Sequence, residues 1–130
     1  NLYGTPRAPM MDTLESGRDV LLEIDVQGAL QVKRNYPESV LIFILPPSLD
    51  ALKKRIEGRG AESAGQIAKR VGEAAREIGE IGSYDYAVVN DDVSGAIAEV
   101  NEIMNGRRTR LSREKAADIA RRFNGERHRL

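Results

Sequence analysis

Two carboxylates, Glu23 and Asp25, end an apolar run that begins at Val20, and Gly28 follows them. An apolar run of this length, bounded by turn residues, is typical of a strand buried on both faces of a parallel sheet. We therefore predict a strand over 20–26. Ligands of open α/β sheets bind just outside the carboxyl ends of the strands, so this position suits a ligand site. The alternative is that the two acids only cap the helix that follows.

Three arginines, Arg55, Arg59 and Arg70, lie on or near a Gly-Arg-Gly turn at 58–60. Guanidinium groups match phosphate oxygens bidentately, and several arginines converging on a mobile loop suit phosphoryl transfer. The glycines on either side of Arg59 give the backbone the freedom of a hinge in a closing lid, so for Arg59 we favour a functional role. The alternative is a solvated helix face with ion pairs between residues four positions apart.

Two further polar groups fall at the ends of predicted loops. Tyr3 and Thr5 flank Gly4 and offer two hydroxyls on an irregular backbone, although such a segment is also typical of a surface loop. Asn90 ends another short apolar run and precedes two aspartates. Its side-chain amide suits the edge of a nucleotide base, but the three residues also fit the N-cap of the next helix.

Alternating strands and helices must position these residues. We predict strands over 20–26, 40–45 and 86–90, and helices over 10–16, 28–36, 49–58, 65–81, 93–105 and 112–123. Ser48 and Ser63 are suitable N-caps for the third and fourth of these helices. Buried-type strands that alternate with helices indicate βαβ units, and hence an α/β fold with a parallel sheet.

Charge is distributed unevenly, although the formal net charge of the 130 residues is zero. Residues 1–106 carry 11 Lys and Arg against 17 Asp and Glu, a net of −6, whereas residues 107–130 carry 9 against 3, a net of +6. The basic segment 107–130 could bind nucleic acid. A solvated or self-docking helix is the commoner use of such a terminus, so we expect no nucleic-acid partner.

The composition also limits the site. Cysteine is absent, which excludes disulfides and thiolate metal sites and makes a cytoplasmic location the natural expectation. His128 is the only histidine, so a transition-metal site is not expected, whereas Mg²⁺ held by carboxylate and phosphate oxygens is compatible. No apolar run approaches the roughly 18 residues that a membrane helix needs. The chain contains neither a G-x-x-x-x-G-K-[ST] loop nor a G-x-G-x-x-G motif.

Six segments together resemble the guanylate kinase family. They are YGTPRAP (3–9), LLEIDVQGA (21–29), FILPPSL (43–49), IEGRG (56–60), IAKRV (67–71) and YDYAVVNDD (84–92). Each is weak alone, but the set follows the family's order and spacing over residues 1–106, which resemble the C-terminal two-thirds of the domain. The resemblance places a lid at about 55–72 and leaves 107–130 as a basic helical tail outside it.

The resemblance implies the fold of P-loop nucleoside monophosphate kinases, a parallel sheet with flanking helices that lacks its first strands. It also implies an activity, the ATP-dependent phosphorylation of GMP to GDP with Mg²⁺. On the GMP side, the resemblance gives Tyr3 the GMP phosphate, Thr5 the guanine edge and Asp25 a contact with guanine.

On the ATP side, the resemblance makes Arg59 and Arg70 the catalytic lid arginines, in contact with ATP and with the transferring phosphoryl group. It adds Arg55 as a further ATP contact and places Asn90 against the adenine. Glu23 would orient the Mg²⁺ shell without a direct bond to the metal. Glu23 stands where many relatives have aspartate, and either carboxylate can accept from metal-bound water.

The family's phosphate-binding loop and its lysine lie upstream of every segment found here, so we expect the 130-residue chain alone to be incompetent as a kinase. The family's first strand would lie between 20–26 and 40–45. We therefore expect a separate segment to fill the gap, another copy to pair there, or the two strands to close up. The backbone partners of Leu22 and Ile42 decide among these outcomes.

Two other functions fit parts of the resemblance. One is a non-catalytic guanylate-kinase-like module that binds partner peptides, but the lid arginines and Asn90 belong to the ATP side, which a peptide binder does not need. The other is a related P-loop kinase that acts on a sugar phosphate. The YGT sequence at 3–5 favours GMP over a sugar phosphate.

Overall fold

The computed structural model describes residues 21–60 and 62–130. Its helices and strands are α1 (Val26–Asn35), β1 (Ile42–Leu45), α2 (Leu49–Gly58), α3 (Ala64–Ile78), a 3-10 turn (Ile81–Ser83), β2 (Tyr86–Val89), α4 (Val93–Met104) and α5 (Arg113–Arg127). The chain divides into two compact units, residues 1–37 and residues 38–130. The predicted helix over 10–16 lies outside the described residues, as do Tyr3 and Thr5.

In the first unit, the predicted strand over 20–26 is wrong for the residues that are described. Residues 21–25 have no regular secondary structure, and α1 begins at Val26. The Gly28 amide donates to Asp25 Oδ1 at 2.7 Å, so the acid serves as the N-cap and the helix starts two residues before its predicted start. An apolar run becomes a strand only when another strand satisfies its backbone, and no such pairing forms here within the described part of the chain.

In the second unit, β1 and β2 form a parallel pair, in register from Ile42 opposite Tyr86 to Leu45 opposite Val89. The sheet formed by the described residues contains these two strands alone. Ile42 therefore pairs with β2, while Leu22 lies in neither strand. The sheet of the described residues therefore does not include the pairing expected if the predicted strands over 20–26 and 40–45 closed up.

Helices α2, α3 and α5 pack together beside this pair, and α4 packs against β2. Among the most deeply buried side chains are Leu45 and Leu49 at the end of β1 and the start of α2, and Phe123 on α5, which is 1% exposed. Burial of an aromatic side chain of this size is worth about 1.5–3 kcal/mol. The basic segment is thus folded onto the second unit through the apolar face of α5, as expected for a self-docking terminus.

The described part of the chain contains no helix with the length and apolar character that crossing a membrane requires.

Candidate functional site

Asp25 makes a structural contact through Oδ1, while its Oδ2 has no hydrogen bond within the described part of the chain. Its Oδ1 caps α1, as the capping alternative anticipated, and the residue is exposed. A Cβ added at Gly28 would lie 3.1 Å from this oxygen, so the glycine leaves room for the cap. An ionised carboxylate can accept about four hydrogen bonds, which leaves Asp25 able to accept from a ligand as well. Glu23 is also exposed.

Arg55 and Asn90 are brought into contact by the fold of the second unit. Arg55 Nη2 donates to the backbone carbonyl oxygens of Asn90 and Asp91, at 3.0 Å and 3.3 Å. The Asn90 amide donates to the Leu45 carbonyl at 2.7 Å, which continues the β1–β2 pairing by one bond. The last part of α2 is therefore tied to the loop that follows β2.

Arg59 lies in the turn that ends α2. Its amide donates to the Ile56 carbonyl at 3.2 Å, and Gly60 follows with φ of 70°, in the left-handed region that favours glycine. The Arg59 residue is exposed, and its guanidinium forms no ion pair within the described part of the chain. The exposed guanidinium of Arg59 can therefore bind a phosphate without first breaking an ion pair to a described residue.

Arg70 lies on the second turn of α3 and is paired with Glu62, which precedes the helix. The side chains are 47% and 28% exposed, and Glu62 Oε2 is buried without a hydrogen-bond partner among the described residues. Ser63 and Gln66 form a reciprocal capping box that fixes the start of α3 between the two charged residues. A phosphate that bound Arg70 would have to compete with the Glu62 carboxylate.

Two acidic residues that hold the start of α2 and the residue before β1 were not identified from the sequence. Glu126 on α5 accepts from the amides of Leu49 and Asp50 at the start of α2, at 2.7 Å and 3.0 Å. Asp85 accepts from the Leu41 amide at 2.8 Å and pairs with Arg110 at 2.9 Å. The only sequence signal for Glu126 is that it is one of three acids in a segment that is otherwise strongly basic.

Residues 1–107 match the family model described as Guanylate kinase. The chain belongs to the guanylate kinase family. The predicted resemblance to guanylate kinases is therefore confirmed, as is the α/β fold class with a parallel sheet flanked by helices.

Individual relatives agree with this membership. The chain is 53% identical to the guanylate kinase of Oceanobacillus iheyensis over 117 residues, which are 90% of this chain and 56% of that protein. It is 47% identical to the guanylate kinase of Clostridium acetobutylicum over 115 residues, 88% of this chain and 55% of that protein. The crystal structure of guanylate kinase from Anaplasma phagocytophilum matches with a TM-score of 0.63 and 32% identity, covering 78% of this chain and 47% of that one. The chain thus spans about half the length of these relatives.

The predicted site residues fall into two groups. Arg55, Arg59, Arg70 and Asn90 belong to the second unit, and the contacts above link Arg55 directly to Asn90. Glu23 and Asp25 belong to the first unit. The described residues include no cluster of three or more histidines, aspartates and glutamates that could hold a metal ion. What the arrangement offers chemically is positive charge for phosphate and single carboxylates for hydrogen bonding.

Proposed function

We propose that this chain takes part in guanylate kinase catalysis, the transfer of a phosphoryl group from ATP to GMP. Two arginines carry the proposal, Arg59 in the turn that ends α2 and Arg70 on α3. Arg59 is exposed without an ion pair within the described part of the chain, and Arg70 has an exchangeable carboxylate partner. Phosphoryl transfer depends mainly on positioning and on neutralising charge on the phosphoryl oxygens, which arginines supply.

The GMP side is proposed to include Tyr3, Thr5 and Asp25. Asp25 supports this role because its cap on α1 uses Oδ1 and leaves Oδ2 available for a guanine N–H group. Tyr3 and Thr5 enter by the family resemblance of the YGT sequence, because they lie outside the described residues.

Mg²⁺ is proposed to enter with ATP. Glu23 is a single exposed carboxylate, which suits an outer-shell acceptor for metal-bound water better than a complete set of metal ligands. When bound, the ion would neutralise charge on the phosphates. The chain's own residues would orient the nucleotides around it, with Asn90 against the adenine and Arg59 and Arg70 on the phosphates.

The 130-residue polypeptide by itself is proposed to be inactive, because its sequence contains no phosphate-binding loop with a lysine. The test compares the isolated chain with a completed chain, joined to the part of the Oceanobacillus iheyensis guanylate kinase that lies outside the match. Formation of ADP and GDP is measured with ATP and GMP. We expect turnover from the completed chain and none from the isolated one.

Substitution then tests the arginine role in the completed chain. Arg70→Met should lower kcat by about 10²-fold or more, as loss of one electrostatic contact to a transition state does elsewhere. Arg76→Met is the matched control, because Arg76 is an exposed arginine on the same helix outside the proposed site. A completed chain that binds a peptide but not ATP would favour the protein-interaction alternative, and turnover with a sugar phosphate but not GMP would favour the other kinase.

Completion of the sheet is a further part of the proposal. Ile44 in β1 is 46% exposed, and within the described residues β1 pairs with β2 alone. A strand from another polypeptide segment or from a second copy would pair with the edge of β1 that faces away from β2. Sedimentation of the isolated chain separates the two sources. A dimer that Ile44→Lys converts to monomer supports the second copy, and a monomer supports another segment.

A further inference from the structure

Hydrogen bonds hold the short loop that follows β2 at each of its residues, 90–92. The Asn90 amide donates to the Leu45 carbonyl at 2.7 Å. Asp92 caps α4, with its Oδ1 accepting from the Gly95 amide at 2.7 Å. Between these two anchors, the carbonyl oxygens of Asn90 and Asp91 accept from one nitrogen of Arg55. Arg55 is thus the side chain that sets the direction of this short loop.

Arg55 itself projects from a well-anchored helix. Its neighbour Ile56 is 5% exposed and belongs to the apolar core of the second unit. The first turn of α2 is held by the hydroxyl of Ser48, which accepts from the Ala51 amide at 2.9 Å, and by the Glu126 carboxylate. Because the helix is held in place, the guanidinium of Arg55 can hold the loop at Asn90, which lies 35 residues further along the chain.

These contacts fix the backbone of Asn90 and leave its side chain able to bind a ligand. Its two backbone groups are bonded to Leu45 and Arg55, whereas its partly exposed side-chain amide has no hydrogen bond within the described part of the chain. It lies at the carboxyl end of a parallel strand, where α/β sheets bind ligands. An amide carries both a donor and an acceptor, which is the combination needed to recognise the edge of a purine.

We propose that Arg55 is a positioning residue for base recognition, which holds the loop at 90–91 so that the Asn90 amide faces the purine of the nucleoside triphosphate. This inference rests on the proposed function and changes the role of Arg55 within it. The family resemblance placed Arg55 among the ATP contacts. Here its Nη2 group is committed to backbone carbonyls, and its effect on the nucleotide passes through Asn90.

The positioning half is tested without any nucleotide. Carbonyl ¹³C and following amide ¹⁵N shifts report directly on hydrogen bonds to the Asn90 and Asp91 carbonyls in the isolated chain. We expect Arg55→Met to shift these resonances and Arg55→Lys, which keeps a donor, to restore part of the change. Arg76→Met is the control and should leave them unmoved. Unchanged shifts in Arg55→Met would overturn the positioning role.

The recognition half is tested by titrating the same proteins with ATP and with inorganic tripolyphosphate at millimolar concentration. Loss of loop positioning should weaken ATP binding by about fivefold, the equivalent of one net hydrogen bond, and leave tripolyphosphate affinity within about twofold. ATP should also shift the Asn90 side-chain amide in the wild-type chain. Equal loss for both ligands would instead make Arg55 a phosphate contact. ATP that fails to bind, or that binds without moving the amide, would overturn base recognition, whatever the shifts say about positioning.

Discussion

Removal of the Glu126 carboxylate should destabilise the second unit through the first turn of α2. The first amides of a helix have no partner within the helix and need an acceptor from elsewhere. Glu126 supplies both of its oxygens, at 2.7 Å to the Leu49 amide and 3.0 Å to the Asp50 amide. Leu49 is fully buried, so water does not readily replace the lost acceptor at its amide. The Glu126→Ala change leaves these two donors without it.

The expected magnitude follows from the kind of bond. Hydrogen bonds to charged groups contribute about 1.5–3 kcal/mol, and a negative charge at a helix N-terminus adds roughly 0.3–1 kcal/mol. Ser48 still caps the Ala51 amide in the variant, so the helix keeps one of its side-chain caps. Asp50 is only partly buried, so water can replace the acceptor at its amide. Counting the Leu49 bond alone, we expect Glu126→Ala to lower the free energy of unfolding by about 2 kcal/mol. Glu126→Gln, which retains one carbonyl oxygen but no charge, should lose about half as much.

The assay is urea unfolding of the full 130-residue chain, followed by far-ultraviolet circular dichroism because the chain contains no tryptophan. Asp118→Ala is the matched control. Asp118 is an acid on the same helix, paired with Arg121 at the surface, and such exposed pairs contribute about 0–1 kcal/mol. A Glu126→Ala midpoint no lower than that of the Asp118→Ala variant would refute the reasoning.

Three further predictions concern α5, the start of α3 and the turn that ends α2. Phe123→Ala should lower the free energy of unfolding by about 3–5 kcal/mol, as truncation of buried aromatic residues does. A variant that keeps its helical circular dichroism signal up to the wild-type melting temperature would contradict the packing of α5 in the core. Glu62→Gln should release Arg70 and tighten tripolyphosphate binding about twofold to threefold, measured by calorimetry, because an exposed ion pair is worth at most about 1 kcal/mol; weaker binding would count against the exchange. Gly60→Ala should destabilise by roughly 1–2 kcal/mol, since φ is positive there, whereas the helical Gly58→Ala should be neutral or stabilising by up to about 1 kcal/mol. Equal effects of the two glycine changes on the urea midpoint would show that backbone conformation does not matter at Gly60.

The parts of the fold that depend on neighbouring residues were predictable from the sequence. Helix α2 begins at Leu49 and ends at Gly58 as predicted, because Ser48 caps its start and the glycines end it. Ser63 likewise caps α3, although the helix starts one residue earlier and ends three residues earlier than predicted. Residues 79–80 form a turn instead, and a separate 3-10 turn at 81–83 follows, which includes only Ile81 of the predicted helix.

The parts that depend on distant residues were not predictable. The strand expected over 20–26 required a neighbouring strand, and local sequence does not show whether one is present. Asp25 instead caps the helix that begins at Val26. Arg55 and Asn90 were each identified as candidates by residue type and position. Their contact joins residues 35 positions apart, and the bond from Leu49 to Glu126 joins residues 77 positions apart. Charge and periodicity carry no information about such pairings.

The contacts of α2 also indicate where the backbone of the predicted lid can move. The helix is held at its start by Glu126 and near its end by the bonds of Arg55 to the loop after β2. Helix α3 packs against α2 and α5 and buries Ile67 and Val71, so Arg70 is carried on a packed element. Between the two helices, the backbone bonds of the turn at 59–60 to other described residues are helix-ending bonds, and Gly60 has φ of 70°. Within the predicted lid over 55–72, this turn is therefore where movement costs least. We therefore expect Arg59 to approach a phosphate by movement at this turn while Arg70 and the Asn90 loop keep their positions.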